Sequence, residues 1–99
     1  MYLRLHKGNI KFLSKVLEYT HLTALIDTLS QAEIDPEYEG FVLWEISQYD
    51  AEDLLGQLSF EANHCRNSTK AMRINDIADS VENAIYMCKR RANQGCVNT

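Results

Sequence analysis

The stretch FVLWEI, residues 41–46, decides how the rest of the chain is interpreted. It is rich in aromatic and β-branched residues and too short to be a helix of its own, which favours a β-strand. The opening stretch YLRLH, residues 2–6, alternates two leucines with residues of other kinds, the period-2 pattern of a half-buried strand. The two stretches predict a pair of strands, with Leu43 and Trp44 on opposite faces of the second.

Two helices are predicted between these strands. Apolar residues recur at helical spacing over residues 9–19 and again over residues 22–29. The apolar face rotates abruptly from one stripe to the next, which predicts a break near Thr20. The dipeptide Asp35-Pro36 is predicted to end the second helix, because a proline disfavours helical geometry in the residue before it.

Two further helices are predicted after the second strand. Ser47 or Asp50 is expected to cap the third helix at its N-terminus. One narrow stripe of small and apolar residues then marks its buried side: Ala51, Leu54, Leu55, Leu58, Ala62 and Cys65. Ser68 or Thr69 is expected to cap the fourth helix, which is predicted to end near Gly95.

These elements predict an α+β fold that is mostly helical. Four helices pack with a short two-stranded antiparallel sheet, in the order β-α-α-β-α-α. Ninety-nine residues are the size of one domain that needs no disulfide or metal for its core. We expect that domain over residues 1–93, followed by a frayed tail over residues 94–99.

Cysteine use and hydropathy indicate a cytoplasmic protein. No apolar run approaches the roughly 20 residues that a membrane span needs, so we expect no membrane association. The cysteines are odd in number and lack the Cys-x-x-Cys spacing, so neither a disulfide framework nor a zinc ribbon is indicated. Free thiols are therefore expected at Cys65, Cys88 and Cys96.

The most informative feature is the distribution of charge. Residues 18–65 hold eleven acidic residues and no Lys or Arg, whereas residues 1–17 carry a net charge of +4 and residues 66–99 carry +3. A surface that serves only solubility normally mixes both signs. A segment with acids and no Lys or Arg therefore predicts a negative patch that steers the protein toward a basic partner.

The predicted partner-binding surface consists of six acids around both ends of the second strand: Asp35, Glu37, Glu39, Asp50, Glu52 and Asp53. The prediction is a small non-catalytic binding protein that inhibits a basic, nucleic-acid-handling protein by occupying its phosphate-binding cleft. Antitoxins, immunity proteins and phage-encoded inhibitors are the analogous functional class. In the competing interpretation, the basic ends of the chain neutralise the acidic segment.

A homodimeric structural module is the first alternative function. Phe12, Val16 and Tyr19 widen the apolar arc of the first helix to nearly half of its circumference. Trp44 stands on one face of the second strand and adds a large aromatic ring. These four residues are the predicted oligomer interface.

A DNA-binding regulator is the second alternative. The strand YLRLHK, residues 2–7, followed by two helices resembles the element order of ribbon-helix-helix repressors. The resemblance implies that Tyr2, Arg4 and His6 enter the major groove and that a dimer builds the core. The acidic segment that follows would repel phosphate, so nucleic acid is not the expected partner.

Catalysis, metal binding and cofactor binding are not expected. Glu-x-x-His occurs at Glu18–His21 and Glu61–His64, a spacing used by carboxylate-bridged di-iron bundles. At about 100° per residue, Glu18 and His64 point away from the apolar faces of their helices, so the two pairs do not converge. The four glycines are scattered and form no phosphate-binding loop.

Overall fold

The computed structural model describes the backbone of residues 1–97 and the side chains of residues 1–90. It confirms the α+β class and the four helices. Its elements in chain order are β1 Tyr2–His6, α1 Gly8–Leu17, α2 Ala24–Ser30, β2 Glu33–Ile34, β3 Phe41–Glu45, α3 Gln48–His64 and α4 Ser68–Val97. They divide into two compact units. The sheet unit is Tyr2–Ile46, and the helix unit comprises Met1 and the chain from Ser47 onward.

The sheet has three strands, so the predicted two-stranded sheet and element order are wrong in this respect. β3 lies in the middle and pairs antiparallel with β1 on one side and β2 on the other. β2 has only two residues, too few to show an alternating pattern in the sequence. The predicted end of the second helix at Asp35-Pro36 is also wrong. α2 already ends at Ser30, and strand β2 lies between that helix and Asp35.

One face of β1 and β3 is buried, as the alternation in β1 predicted. Leu3, Leu5, Val42 and Trp44 are all buried, and the indole Nε1 of Trp44 donates a hydrogen bond to Thr28 Oγ1 at 3.0 Å. The register places the other side chains of the strands on what we call the outward face. Its residues are Tyr2, Arg4, His6, Glu33, Phe41, Leu43 and Glu45.

The predicted break near Thr20 is confirmed. α1 ends at Leu17, and turns occupy the residues before α2. Thr20 Oγ1 donates to the carbonyl of Leu17 at 2.9 Å and accepts from the amide of Leu22 at 3.1 Å. The threonine side chain therefore satisfies backbone groups that a continuous helix would have paired.

The helix unit is built on the packing of α3 against α4. Ser47 caps α3 as predicted, its Oγ accepting from the amide of Asp50 at 3.0 Å. The cap of α4 is Asn67, whose Oδ1 accepts from the amide of Lys70 at 3.0 Å, and not Ser68 or Thr69. The buried side chains of the two helices are Ala51, Leu54, Leu58, Ala62, Ile74, Ile77, Ala78, Val81 and Ile85.

Near the ends of α3 and α4 the structure differs in detail from the sequence prediction. Cys65 follows the last residue of α3 and is half-buried, so it does not extend the buried stripe. The backbone of α4 continues past Gly95 to Val97. The division into a domain over residues 1–93 and a tail over 94–99 stays a prediction, since the last two residues lie outside the described part of the chain. Cys65 and Cys88 are free thiols as expected, and Cys96 lies outside the described side chains.

Candidate functional site

The six predicted acids belong to two different units. Asp35, Glu37 and Glu39 stand in the connection from β2 to β3, within the sheet unit. Asp50, Glu52 and Asp53 occupy the first turns of α3, within the helix unit. Each group is therefore considered in its own surroundings.

Asp35 has a structural role in the turn after β2. Its side chain is buried, and Arg4 Nε donates to Asp35 Oδ2 at 2.6 Å. The amide of Glu37 donates to Asp35 Oδ1 at 2.8 Å, an arrangement in which an aspartate side chain closes a turn of the main chain. With only 4% of the residue exposed, Asp35 presents almost no surface to a partner.

The contacts of Asp35 keep both it and Arg4 charged. Burial by itself would raise the pKa of the Asp35 carboxyl, but the hydrogen bond from the Glu37 amide and the guanidinium of Arg4 outweigh burial and hold this pKa below its ordinary value. The hydrogen bond to Asp35 is the main reason that the pKa of Arg4 is raised. The pair therefore stays ionised throughout the neutral pH range.

Arg4 makes two further contacts on the outward face. Its Nη2 lies 3.7 Å from Glu37 Oε2, and its guanidinium carbon lies 4.0 Å from the centroid of the Tyr38 ring. We call Arg4, Asp35, Glu37 and Tyr38 the arginine cluster. A base from the N-terminal segment thus pairs with two of the six predicted acids and offsets one of their two negative charges. The ribbon-helix-helix alternative is weakened by the same contacts, because they occupy the arginine that would read bases.

The helix unit also pairs a predicted acid with a base of its own. Lys89 Nζ lies 2.9 Å from Glu52 Oε1, and this hydrogen bond together with the lysine charge lowers the pKa of Glu52. Asp50 and Asp53 are half-buried. Among the six, Glu39 is an exposed acid for which the structure gives no ion-pair partner within the described side chains.

A groove in the sheet unit carries acids that the sequence prediction did not select. Its volume is about 230 Å³. We call it the β-groove, and its lining residues are Tyr2, Thr28, Gln31, Ala32, Glu33, Leu43 and Glu45. Four of them, Tyr2, Glu33, Leu43 and Glu45, belong to the outward face of the sheet.

The two carboxylates of the β-groove have no counter-charge among the described side chains. Both Glu33 and Glu45 are exposed, and no described side chain forms an ion pair or hydrogen bond with either carboxylate. Glu33 stands opposite Leu43 in the register, and Glu45 is two residues further along β3. Such diagonal neighbours are about 7–8 Å apart, so one cation between them could contact both carboxylates.

The alternation in the sequence could have indicated one of these glutamates. In FVLWE, Glu45 and Leu43 share the face opposite to Trp44. Their spacing therefore indicated an outward acid beside an apolar residue. The sequence did not indicate Glu33, because this residue was assigned to the second predicted helix, whereas α2 ends at Ser30. Its position beside Leu43 depends on the pairing of β2 with β3.

Comparison with known protein families, curated proteins and solved structures gives no match for this chain. The candidate site therefore rests on geometry and charge alone. Over the described residues, no helix is both long and apolar enough to cross a membrane.

The four predicted oligomer-interface residues lie in different environments. Phe12 and Val16 are half-buried on α1, whereas Tyr19 lies beyond the end of that helix and is 93% exposed. Trp44 is 0% exposed, so it offers no surface to a second chain. For Phe12, Val16 and Tyr19, the oligomer interface stays a prediction.

The segment Glu61–His64 makes local contacts within α3, whereas Glu18–His21 follows the last residue of α1. His64 Nδ1 lies 2.8 Å from the carbonyl of Phe60, and the two rings stack at 4.1 Å between centroids. Glu61 Oε1 accepts from Gln57 Nε2 at 2.9 Å. Within the described part of the chain, no three His, Cys, Asp or Glu side chains form a group that could hold a metal ion.

Proposed function

We propose that this chain is a non-catalytic, cytoplasmic protein-binding module that engages a basic protein through an acidic surface of its sheet unit. The single observation that carries the proposal is the pair of uncompensated carboxylates, Glu33 and Glu45, in the β-groove. Negative charge without a local partner attracts a basic surface during encounter and favours it over neutral or acidic competitors.

The balance of charge in the two units supports placing the surface there. The sheet unit contains seven acidic and four basic residues, a net charge of −3. The helix unit contains seven acidic and six basic residues, a net charge of −1. Glu52 and its partner Lys89 illustrate how acids of α3 are compensated by bases of α4.

The proposal changes which acids are expected to touch the partner. Asp35, Glu37 and Glu52 already have cationic partners in the chain, and breaking such a pair would offset what a new contact contributes. Glu33 and Glu45 have none among the described side chains and replace them as the central contacts. Glu39 is kept as a peripheral contact of the sheet unit, and Asp50 and Asp53 are kept as separate candidate contacts of the helix unit.

A basic cleft that normally binds phosphate is the kind of partner surface that fits an acidic face. By covering such a cleft, the module would block access of nucleic acid and so inhibit the partner. This is the mode of action expected of an antitoxin, an immunity protein or a phage-encoded inhibitor. A homodimer and a DNA complex are the competing outcomes.

The test is affinity capture from the source cell with charge-reversed variants. The full chain and the variant Glu33→Lys/Glu45→Lys are immobilised in parallel, and retained proteins are identified and quantified. We expect the full chain to retain a basic protein. The variant should retain at least about tenfold less of that protein, because its two lysines repel a basic surface that the two glutamates attract. Retention by the full chain should also weaken as salt is raised.

The matched control is Glu18→Lys/Asp27→Lys, which makes the same change in net charge at two exposed acids elsewhere in the sheet unit. This control should retain the partner nearly as well as the unmodified chain. Equal losses in both variants would mean that only net charge matters. Retention of DNA or of a second copy of the chain, in place of a basic protein, would overturn the proposal in favour of an alternative.

A further inference from the structure

The arginine cluster shows how this chain binds a guanidinium group. Arg4 is held by the carboxylates of Asp35 and Glu37 and lies over the ring of Tyr38. Planar guanidinium groups suit such a site because they donate to two carboxylates at once and stack on an aromatic face. Two carboxylates and one tyrosine ring are therefore the groups that contact an arginine side chain in this unit.

The β-groove contains two carboxylates and a tyrosine ring as well, and none of its described lining residues is a base. Glu33 and Glu45 supply two carboxylates, and Tyr2 stands directly opposite Glu45 in the register of β1 and β3. Tyr2 is 61% exposed, so a face or edge of its ring is accessible. Leu43 stands directly opposite Glu33 and two residues before Glu45 on the same face, and it contributes an apolar contact for methylene groups.

We propose that the β-groove is a docking site for one arginine side chain of the basic partner protein. The guanidinium lies between Glu33 and Glu45 and against the ring of Tyr2, and the aliphatic stem of the arginine covers Leu43. This inference rests on the proposed function, since it specifies the contact through which the acidic surface recognises its partner.

The size of the β-groove agrees with a single side chain. Its volume of about 230 Å³ is below the roughly 300 Å³ at which pockets for drug-sized ligands begin. Two negative carboxylates at its walls favour a cation over a neutral or anionic group. Arginine is favoured over lysine because an ammonium is a compact, strongly hydrated charge that neither forks between two carboxylates nor stacks as a plane.

The experiment uses three capped tripeptides, Gly-Arg-Gly, Gly-Lys-Gly and Gly-citrulline-Gly, titrated into the full chain at low salt. Binding is followed through the backbone amide signals in NMR spectra. We expect Gly-Arg-Gly to shift the signals of Tyr2, Glu33, Leu43 and Glu45, Gly-Lys-Gly to bind several-fold more weakly, and the uncharged citrulline peptide to cause no shift. The comparison separates a site for arginine from general attraction of positive charge.

Two variants connect the binding to the groove. In Glu33→Gln/Glu45→Gln, the affinity for Gly-Arg-Gly should fall by at least about tenfold, because two charge-assisted contacts are lost. The control Glu18→Gln/Asp27→Gln should bind as the unmodified chain does. Tyr2→Leu keeps an apolar side chain but removes the ring, and it should weaken the arginine peptide more than the lysine peptide. All five positions are exposed, and circular dichroism checks that each variant is folded.

The outcomes separate this inference from the proposed function. Equal binding of the arginine and lysine peptides, or shifts that avoid the groove, would overturn the arginine site even if a basic protein is captured. Groove shifts that survive in Glu33→Gln/Glu45→Gln would overturn it as well. Arginine-specific binding lost in that variant supports the site, and it stands as a property of the groove even if capture yields no basic protein.

Discussion

The arginine cluster and the β-groove share two carboxylates and a tyrosine ring but differ in whether a described base pairs with the carboxylates. Each offers two carboxylates and a tyrosine ring in the sheet unit, yet one contains Arg4 and the other, among the described side chains, contains no base. The comparison teaches that a count of acids along a chain does not locate a negative surface. Pairing with bases that are distant in sequence decides which acids remain available.

The difference comes from the register of β1. Arg4 lies across from Leu43, on the same outward face from which its long side chain reaches Asp35 in the turn after β2. The position across from Glu45 is taken by Tyr2, which has no charge to offer. Because only every second residue of a strand faces outward, β1 brings one cation to this face near one cluster and a ring near the other.

The largest effect is expected when the packing beneath β3 is removed, because this packing supports both the arginine cluster and the β-groove. Trp44→Ala deletes a fully buried ring and its hydrogen bond to Thr28, and the free energy of unfolding should fall by about 3–5 kcal/mol. The measurement is urea unfolding followed by circular dichroism, since the chain has a single tryptophan and the variant loses that fluorescence.

Tyr19→Ala is the control for the loss of a large aromatic side chain. Tyr19 is 93% exposed, so its removal should leave the free energy of unfolding nearly unchanged. A similar loss in both variants would contradict the assignment of Trp44 to the buried face of the sheet.

An intermediate effect is expected from Asp35→Asn, which breaks the arginine cluster and leaves the β-groove intact. The pKa of Asp35 is lowered in the folded state, so its charged form contributes stability above the unfolded-state value near 3.9, and that contribution is lost as pH falls through the folded-state pKa. The variant should be less stable at neutral pH. Its stability should also decline less steeply than that of the unmodified chain between about pH 5 and pH 2.

Urea unfolding over a series of pH values measures this difference. Glu39→Gln removes an acid from the same connection, one with no ion pair to Arg4, and provides the matched comparison. Parallel stability profiles for Asp35→Asn and the unmodified chain would show that the Arg4–Asp35 pair makes no net contribution to folding.

The smallest effect is expected in the helix unit, from Glu52→Gln. The side chains of Lys89 and Glu52 are 55% and 45% exposed, so water and salt screen their attraction. Stability should decrease only slightly at low salt and not at all at high salt. Glu82→Gln, at another exposed acid of this unit, controls for the change in net charge. If Glu52→Gln lost as much free energy of unfolding as Asp35→Asn, the contrast between a buried and an exposed carboxylate would be contradicted.

Features that depend on neighbours along the chain were predictable. The alternation of β1, the strand FVLWE, the break at Thr20 and the cap at Ser47 each depend on residues a few positions apart. The capping residue of α4 was missed narrowly, because asparagine, serine and threonine in NST are all good caps and only the backbone conformation selects Asn67.

The candidate site was less predictable than the fold. The sequence correctly located an excess of acid but could not sort the acids by their partners. Asp35 was selected as a surface contact although it is buried against Arg4, a residue 31 positions away. Glu33 was overlooked because its strand is defined by pairing with β3 rather than by any pattern of its own.

The sequence by itself determined the α+β class, the helices and their apolar stripes, the two longer strands and the uneven distribution of charge. Those properties follow from local periodicity, local hydrogen bonding and composition, which act over a few residues. Only the tertiary structure decided the third strand, the burial of Asp35 and the position of Glu33 beside Leu43 and Glu45. Each of these depends on strand register and long-range packing, which bring together residues whose spacing along the chain carries no signal.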